Sequence, residues 1–133
     1  MKEPQPQGLP QGREPAIRVV MMPRDTNALG TIFGGVILSH LDLAAAIETH
    51  RYYPGRVVTV AMDQVVFKQP VFVGDLVSFY TETVRIGTSS VTVKVSVWAQ
   101  RRFGSQGSVF VTEALVTLVA VDDQFRKVPL PKP

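Results

Sequence analysis

Apolar and polar positions along the chain change period twice, and those changes set the expected architecture. Ile17 to Met22 is a short apolar run ended by Pro23, which predicts a first strand. Residues 24–30 then hold Asp25, Thr26, Asn27 and Gly30, all loop formers. After Gly34-Gly35 comes VILSHLDLAAAIETHRYY, rich in Ala, Leu and Ile, which Pro54-Gly55 stops. This predicts a helix over 35–52 of about five turns. Its apolar positions, Val36 to Leu38, Leu41 and Leu43 to Ile47, cover nearly every side, so the helix is expected to be buried.

From Arg56 onward the texture is β. RVVTVAMDQVVF (56–67) is β-branched and ends before Gln69-Pro70; Val73-Gly74-Asp75 turns the chain into a strand over 76–86. Gly87-Thr88-Ser89 is a tight turn into 90–103, where Val91, Val93, Val95, Val97 and Ala99 should face one way. Thr92, Lys94, Ser96, Trp98 and Gln100 should face the other, as in an antiparallel strand with one buried side. A loop over 104–108 leads to a last strand over 109–122. One long helix and hairpin-linked strands make an α+β domain in which a curved antiparallel sheet wraps the helix. Strand 56–67 is apolar on both faces, so it is expected to be central or paired with its twin from a second copy.

Composition narrows the picture further. A chain of 133 residues fits one domain. Seven of its ten prolines lie in residues 1–16 and 127–133, which read as tails around a domain over 17–126. With 45% hydrophobic and 19% charged residues there is apolar surface to spare, a first hint of a homo-oligomer. The net charge of +3 comes without dense Lys/Arg runs, so no nucleic-acid partner is expected, while an anionic small molecule suits it. The absence of cysteine excludes disulfides and a thiolate nucleophile, and two histidines, His40 and His50, offer little to a metal. No run approaches a membrane span and no signal-peptide core opens the chain, so a soluble, cytoplasmic protein is expected.

Asp42 carries the most information. It stands mid-helix between Leu41 and Leu43, with Ser39 and Ala46 its neighbours on one face. A carboxylate there must be paired, hydrogen-bonded or wet. It fits either a structural acid or a general base in a cleft. Upstream, the paired glycines bare the first N–H groups of the helix, whose partial positive charge suits a developing oxyanion. They would equally permit tight packing, and Asn27 could be an amide donor or a turn former.

Together these residues form D-x-N-x-x-G-x-x-F-G-G-x-x-x-x-x-x-D, from Asp25 to Asp42. The stretch resembles the hotdog-fold acyl-CoA hydrolases of the bacterial YciA and brain acyl-CoA hydrolase type. The likeness continues in VVTVAMDQVVFKQPVFVGD (57–75), IGTSSV (86–91) and TEALVTLVAVD (112–122), and so spans about residues 17–122. The resemblance implies a hotdog fold, a helix wrapped by a five-stranded antiparallel sheet. It also implies dimers joined through the strand after the helix, often assembled into hexamers as trimers of dimers. Asp42 and Asn27 fall on the family's catalytic pair, contributed by opposite subunits. Gly35 falls where a backbone N–H polarises the thioester carbonyl.

The implied activity is hydrolysis of acyl-CoA to free acid and CoA, with Asp42 as general base or nucleophile. No metal and no cofactor are implied beyond the CoA of the substrate. By the same resemblance Thr59 and the turn Gly87, Thr88, Ser89 and Ser90 line the pantetheine channel, and Lys68 and Arg101 are candidate phosphate contacts. His40 is expected to pack or to lie at an interface, Glu48 and His50 to be exposed or interfacial, and Asp63 and Gln64 to bond across an interface. A dehydratase of this fold would need a histidine in an HFP-type segment, which the chain lacks. The alternative to catalysis is a silent acyl-CoA binder or sensor.

Overall fold

The computed structural model describes residues 8–102 and 107–131. Its elements are β1 (Ile17–Val20), α1 (Gly34–Thr49), β2 (Arg56–Asp63), β3 (Leu76–Ile86), β4 (Ser90–Gln100) and β5 (Ser108–Val121). The five strands form one antiparallel sheet in the order β1-β3-β4-β5-β2, and α1 packs on β3, β4 and β5. This is the expected α+β, hotdog architecture. Residues 1–7, 103–106 and 132–133 lie outside the description; β4 stops at Gln100, short of the expected Phe103, with Arg101 and Arg102 already out of the strand.

The core lies between helix and sheet. Ile37, Leu41, Ala44 and Ala45 meet Val77, Phe79, the alternate valines Val91 to Val97, and Val116 and Leu118. Alternation along β4 supplies that face as expected. Trp98, on the outer face of the same strand, is nevertheless 2% exposed. Its register partners are Ser78 and Phe110, and the Phe110 ring meets it edge-on at 5.4 Å.

Three expectations need correction. The helix stops at Thr49, and residues 50–53 continue as turns, with Arg51 and Tyr52 donating to carbonyls three residues back. It is also not buried all round, because the sheet covers one side only: Leu43 is 55% exposed and Ile47 is exposed as well. Finally, β2 ends at Asp63 and is an edge strand rather than a central one. Gln64 adopts φ of 64°, a left-handed conformation that turns the chain out of the strand. Asp63 and Gln64 are both exposed.

The described segments that flank the sheet follow it. Ala16 N–H donates to Phe79, and the Arg13 guanidinium bonds the Thr81 carbonyl and lies over the Tyr80 ring. Beyond β5, Val128 and Leu130 N–H groups donate to Ala120 and Thr88. Between them Asp122 holds a tight turn. Hydrogen bonds from the backbone N–H groups of Arg126 and Gln124 keep its carboxyl below the usual carboxylate range.

Candidate active site

The loop before α1 is built by its own side chains. Asn27 Oδ1 accepts from the N–H groups of Leu29 and Thr31 at 2.8 and 3.2 Å, and its amide donates to Thr31 Oγ1 at 2.9 Å. Gly30, at φ of 86°, makes the turn that few other residues allow. The chain then enters α1 through Phe33, which gives no side-chain cap. The free N–H groups of a helix start ordinarily meet a Ser, Thr, Asp or Asn oxygen. Here the first N–H groups, those of Gly34 and Gly35, emerge beside two residues without side chains. A Cβ placed on Gly35 would meet nothing of this chain within 4 Å, so packing does not explain that glycine.

Seven residues separate Gly35 from Asp42. That is two helical turns, about 10 Å along the axis and about 20° in rotation, so both lie on one stripe with Ser39 between them. The stripe borders β2, where Thr59 Oγ1 donates to Asp42 Oδ1 at 2.5 Å. Thr59 faces the helix because its partner Leu118 does. A bulge between Thr59 and Ala61 inserts Val60, which is 57% exposed, and keeps both Thr59 and Met62 turned inward. Asp42 itself is half-buried, open to solvent on one side.

A pocket of about 310 Å³ opens beside the helix start, lined by Thr31, Gly34, Ile37, Phe67, Lys68 and Val71 among others. Its floor is the hydrophobic core and its rim carries the exposed Lys68. A second, wider cleft of about 530 Å³ lies at the other end of α1, lined by Arg13, Glu14, Glu48, Arg51, Thr81 and Glu82 among others. Gly34 lines the first pocket and not this one, and neither Gly35 nor Asp42 lines either.

The other expected contacts are placed as follows. The turn 87–90 ends the same row of the sheet as Thr59, through the pairs Thr59–Leu118, Leu118–Val91 and Val91–Ile86. Its backbone is occupied: Gly87 N–H donates to Ser90, Ser89 accepts from Ala120 and Thr88 from Leu130. Arg101 is placed differently from a phosphate contact. Its guanidinium pairs with buried Asp75 and lies 4.8 Å from the Phe72 ring centroid, and its side chain is 9% exposed. His40 packs as expected, stacked on Phe79 at 5.7 Å.

Glu48 corrects another expectation. It is 6% exposed rather than open, because β3 presents two hydroxyls to it: Thr81 donates to Oε1 at 3.1 Å and Thr83 to Oε2 at 2.8 Å. Sequence reading missed it because the threonines lie 33 and 35 residues away along the chain. Their alternate spacing on one strand was the available signal.

Comparison with known proteins identifies the family of the chain. The family model of the thioesterase superfamily matches residues 29–102. The acyl-CoA thioester hydrolase YciA of Salmonella typhimurium is 42% identical over 126 residues, covering 92% of each chain. The structure of Cj0915, a hexameric hotdog fold thioesterase of Campylobacter jejuni, superposes with a TM-score of 0.85 at 49% identity, over 92% of this chain and 93% of that one. HI0827, a hexameric broad specificity acyl-coenzyme A thioesterase, gives 0.85 at 38% identity, over 97% and 85%. The chain belongs to the thioesterase superfamily, within its hotdog-fold acyl-CoA thioester hydrolases.

Proposed function

We propose that this protein hydrolyses acyl-CoA thioesters to a free acid and CoA. The observation that carries the reading is the stripe on α1: uncapped N–H groups at Gly34 and Gly35, then the Asp42 carboxylate held by Thr59. A thioester carbonyl oxygen received by the Gly35 N–H gains charge as water adds, and the helix start stabilises that charge. The Asp42 carboxylate takes a proton from the attacking water, and collapse of the tetrahedral intermediate breaks the C–S bond and releases CoA thiol. Labelled water in a single turnover tests this assignment. A general base puts the label into the acid, whereas an anhydride opened by water at the Asp42 carbonyl puts it into the side chain.

The assembly proposed is a dimer through β2, with hexamers as trimers of dimers. β2 offers a free edge beside exposed apolar residues, Val60 and Val66. Two copies pairing antiparallel along that edge would bring one copy's Asp42 flank toward the other's helix start. Asn27 of one copy and Asp42 of the other would then meet at a shared site. The amide of Asn27 keeps one N–H beyond its bond to Thr31, enough to donate to substrate. Lys68 is the proposed phosphate contact, and the 87–90 turn the wall of the pantetheine channel.

Release of free thiol from short, medium and long acyl-CoAs by wild type and Asp42→Asn tests the proposal. Wild type should turn over. The variant, still folded and assembled, should lose at least about 100-fold in kcat, roughly 2.7 kcal/mol. An inert wild type that still binds acyl-CoA tightly would make the protein a binder or sensor instead.

A further inference from the structure

Arg101, expected at a phosphate, is buried instead against the segment on which the helix-entry loop rests. Leu76 and Gln100 close the β3–β4 ladder, so Asp75 and Arg101 stand opposite each other just beyond it. One oxygen, Asp75 Oδ2, accepts both from the Arg101 guanidinium and from the Phe72 N–H, the latter at 2.9 Å. Both side chains of the pair are buried, whereas Phe72 and Val73 beside them are exposed. Packing alone therefore does not fix residues 72–75; the carboxylate and its guanidinium do.

This segment holds both ends of the loop before α1. At the near end Gly74 N–H donates to the Met21 carbonyl at 2.9 Å, and Met21 N–H donates to the Asp75 carbonyl at 3.0 Å. At the far end Phe72 bridges Thr31, and Ile32 N–H donates to the Val71 carbonyl at 2.8 Å. Asn27 lies between the two ends, and Gly34 follows two residues after Ile32.

We propose that Asp75 and Arg101 are positioning residues for the hydrolysis. They fix residues 71–75, and through them the place of Asn27 and of the Gly34 and Gly35 N–H groups relative to Asp42. This rests on the thioesterase reading and adds to it two residues that act through the loop. Asp42 is held separately, by Thr59 of β2, so a shift of the loop changes the spacing of donor and base instead of moving both together. A misplacement of about 1 Å can cost about 10²-fold in rate. Stability is a separate matter, because a buried ion pair is often replaced by neutral groups of similar size without loss.

The test compares wild type, Arg101→Lys and the double variant Asp75→Asn/Arg101→Met, which leaves no buried charge unpaired and keeps an acceptor for the Phe72 N–H. Each is measured for kcat and KM on acyl-CoAs, melting, size exclusion and amide hydrogen exchange. The double variant should assemble as wild type does and melt within a few degrees of it. Its kcat should fall at least about tenfold with KM within about threefold, because the spacing of donor and base counts in the transition state. Exchange at the Ile32 amide should rise at least about tenfold, while the core amides of β4 keep their protection. Arg101→Lys, which keeps a cation on Asp75, should retain most of the rate. Wild-type kcat in the assembled double variant overturns the proposal alone. So does a lower kcat with Ile32 exchange unchanged, or with exchange raised throughout the sheet, which would make the pair a stabiliser only. A wild type inert on every acyl-CoA overturns both this and the thioesterase reading.

Discussion

The two ends of α1 are treated in opposite ways. At its start two glycines follow an uncapped Phe33, N–H groups are left without a side-chain partner, and open space stands where a Gly35 Cβ would be. At its end Glu48 and Thr49 are buried. Two β3 hydroxyls and Arg51 satisfy the carboxylate, and Thr49 Oγ1 bonds the Ala45 carbonyl. A carboxylate in the last turn is the wrong sign for the helix dipole, so this end accepts a cost that its hydroxyl partners offset. Fixing one end allows the other to remain unsatisfied without the helix shifting along the sheet. An unsatisfied helix start is where a developing anion is worth most.

The sharpest way to break the comparison is to remove the donor and keep the helix. Proline is tolerated in the first helical turn, where its missing N–H is not part of the ladder. Gly35→Pro should leave melting nearly unchanged and lower kcat by about 10²–10³, or about 2.7–4 kcal/mol. Gly35→Ala keeps the N–H and meets no atom of this chain, so it should lose much less. Equal losses in steady-state assays would mean that the space at Gly35 matters and its N–H does not.

The opposite end should fail in the opposite currency. Glu48→Ala removes the acceptor of two hydroxyls and should cost about 2 kcal/mol of stability, with little change in kcat per folded molecule. The Arg51 contact adds little to that figure, since Arg51 is 75% exposed and surface pairs are weak. Paired thermal melts and activity at a temperature where both forms are folded would decide it. A large drop in kcat without destabilisation would show that this end is more than an anchor.

Much of this was legible along the chain because its signals are local. The alternation Val91 to Val97 and the helical stretch ahead of Pro54-Gly55 each read within one element, although the helix itself ends at Thr49, and the spacing from Asn27 to Asp42 reads across one loop and the helix it feeds. The burial of Glu48 was not legible, because it depends on Thr81 and Thr83 arriving from another strand. Arg101 failed for the same reason: its partner Asp75 is 26 residues away, and the pair is made by the β3–β4 register. The extent of β2 was misread because VVF after Asp63 is as β-like as the strand itself, while Gln64 takes a left-handed turn that its residue type does not announce. The helix looked buried all round because apolar positions mark any covered surface, whether by this sheet or by a second copy.

The smallest effect tests the join between stripe and sheet. Thr59 is the one side chain of β2 with a hydrogen bond to Asp42 among the described residues, and its pairing with Leu118 is what turns it inward. Thr59→Val keeps the β-branched shape and the strand preference but removes the donor. One hydrogen bond to a charged group is worth about 1.5–3 kcal/mol when fully made, and a half-exposed carboxylate recovers part of that from water. A loss of about 1 kcal/mol, or roughly fivefold in kcat, is the expected result, with KM nearly unchanged because the hydroxyl already has a partner. A rise in KM at constant kcat would instead return Thr59 to the wall of the CoA channel. Thr59→Ser, which keeps the hydroxyl, should restore the rate in the first case.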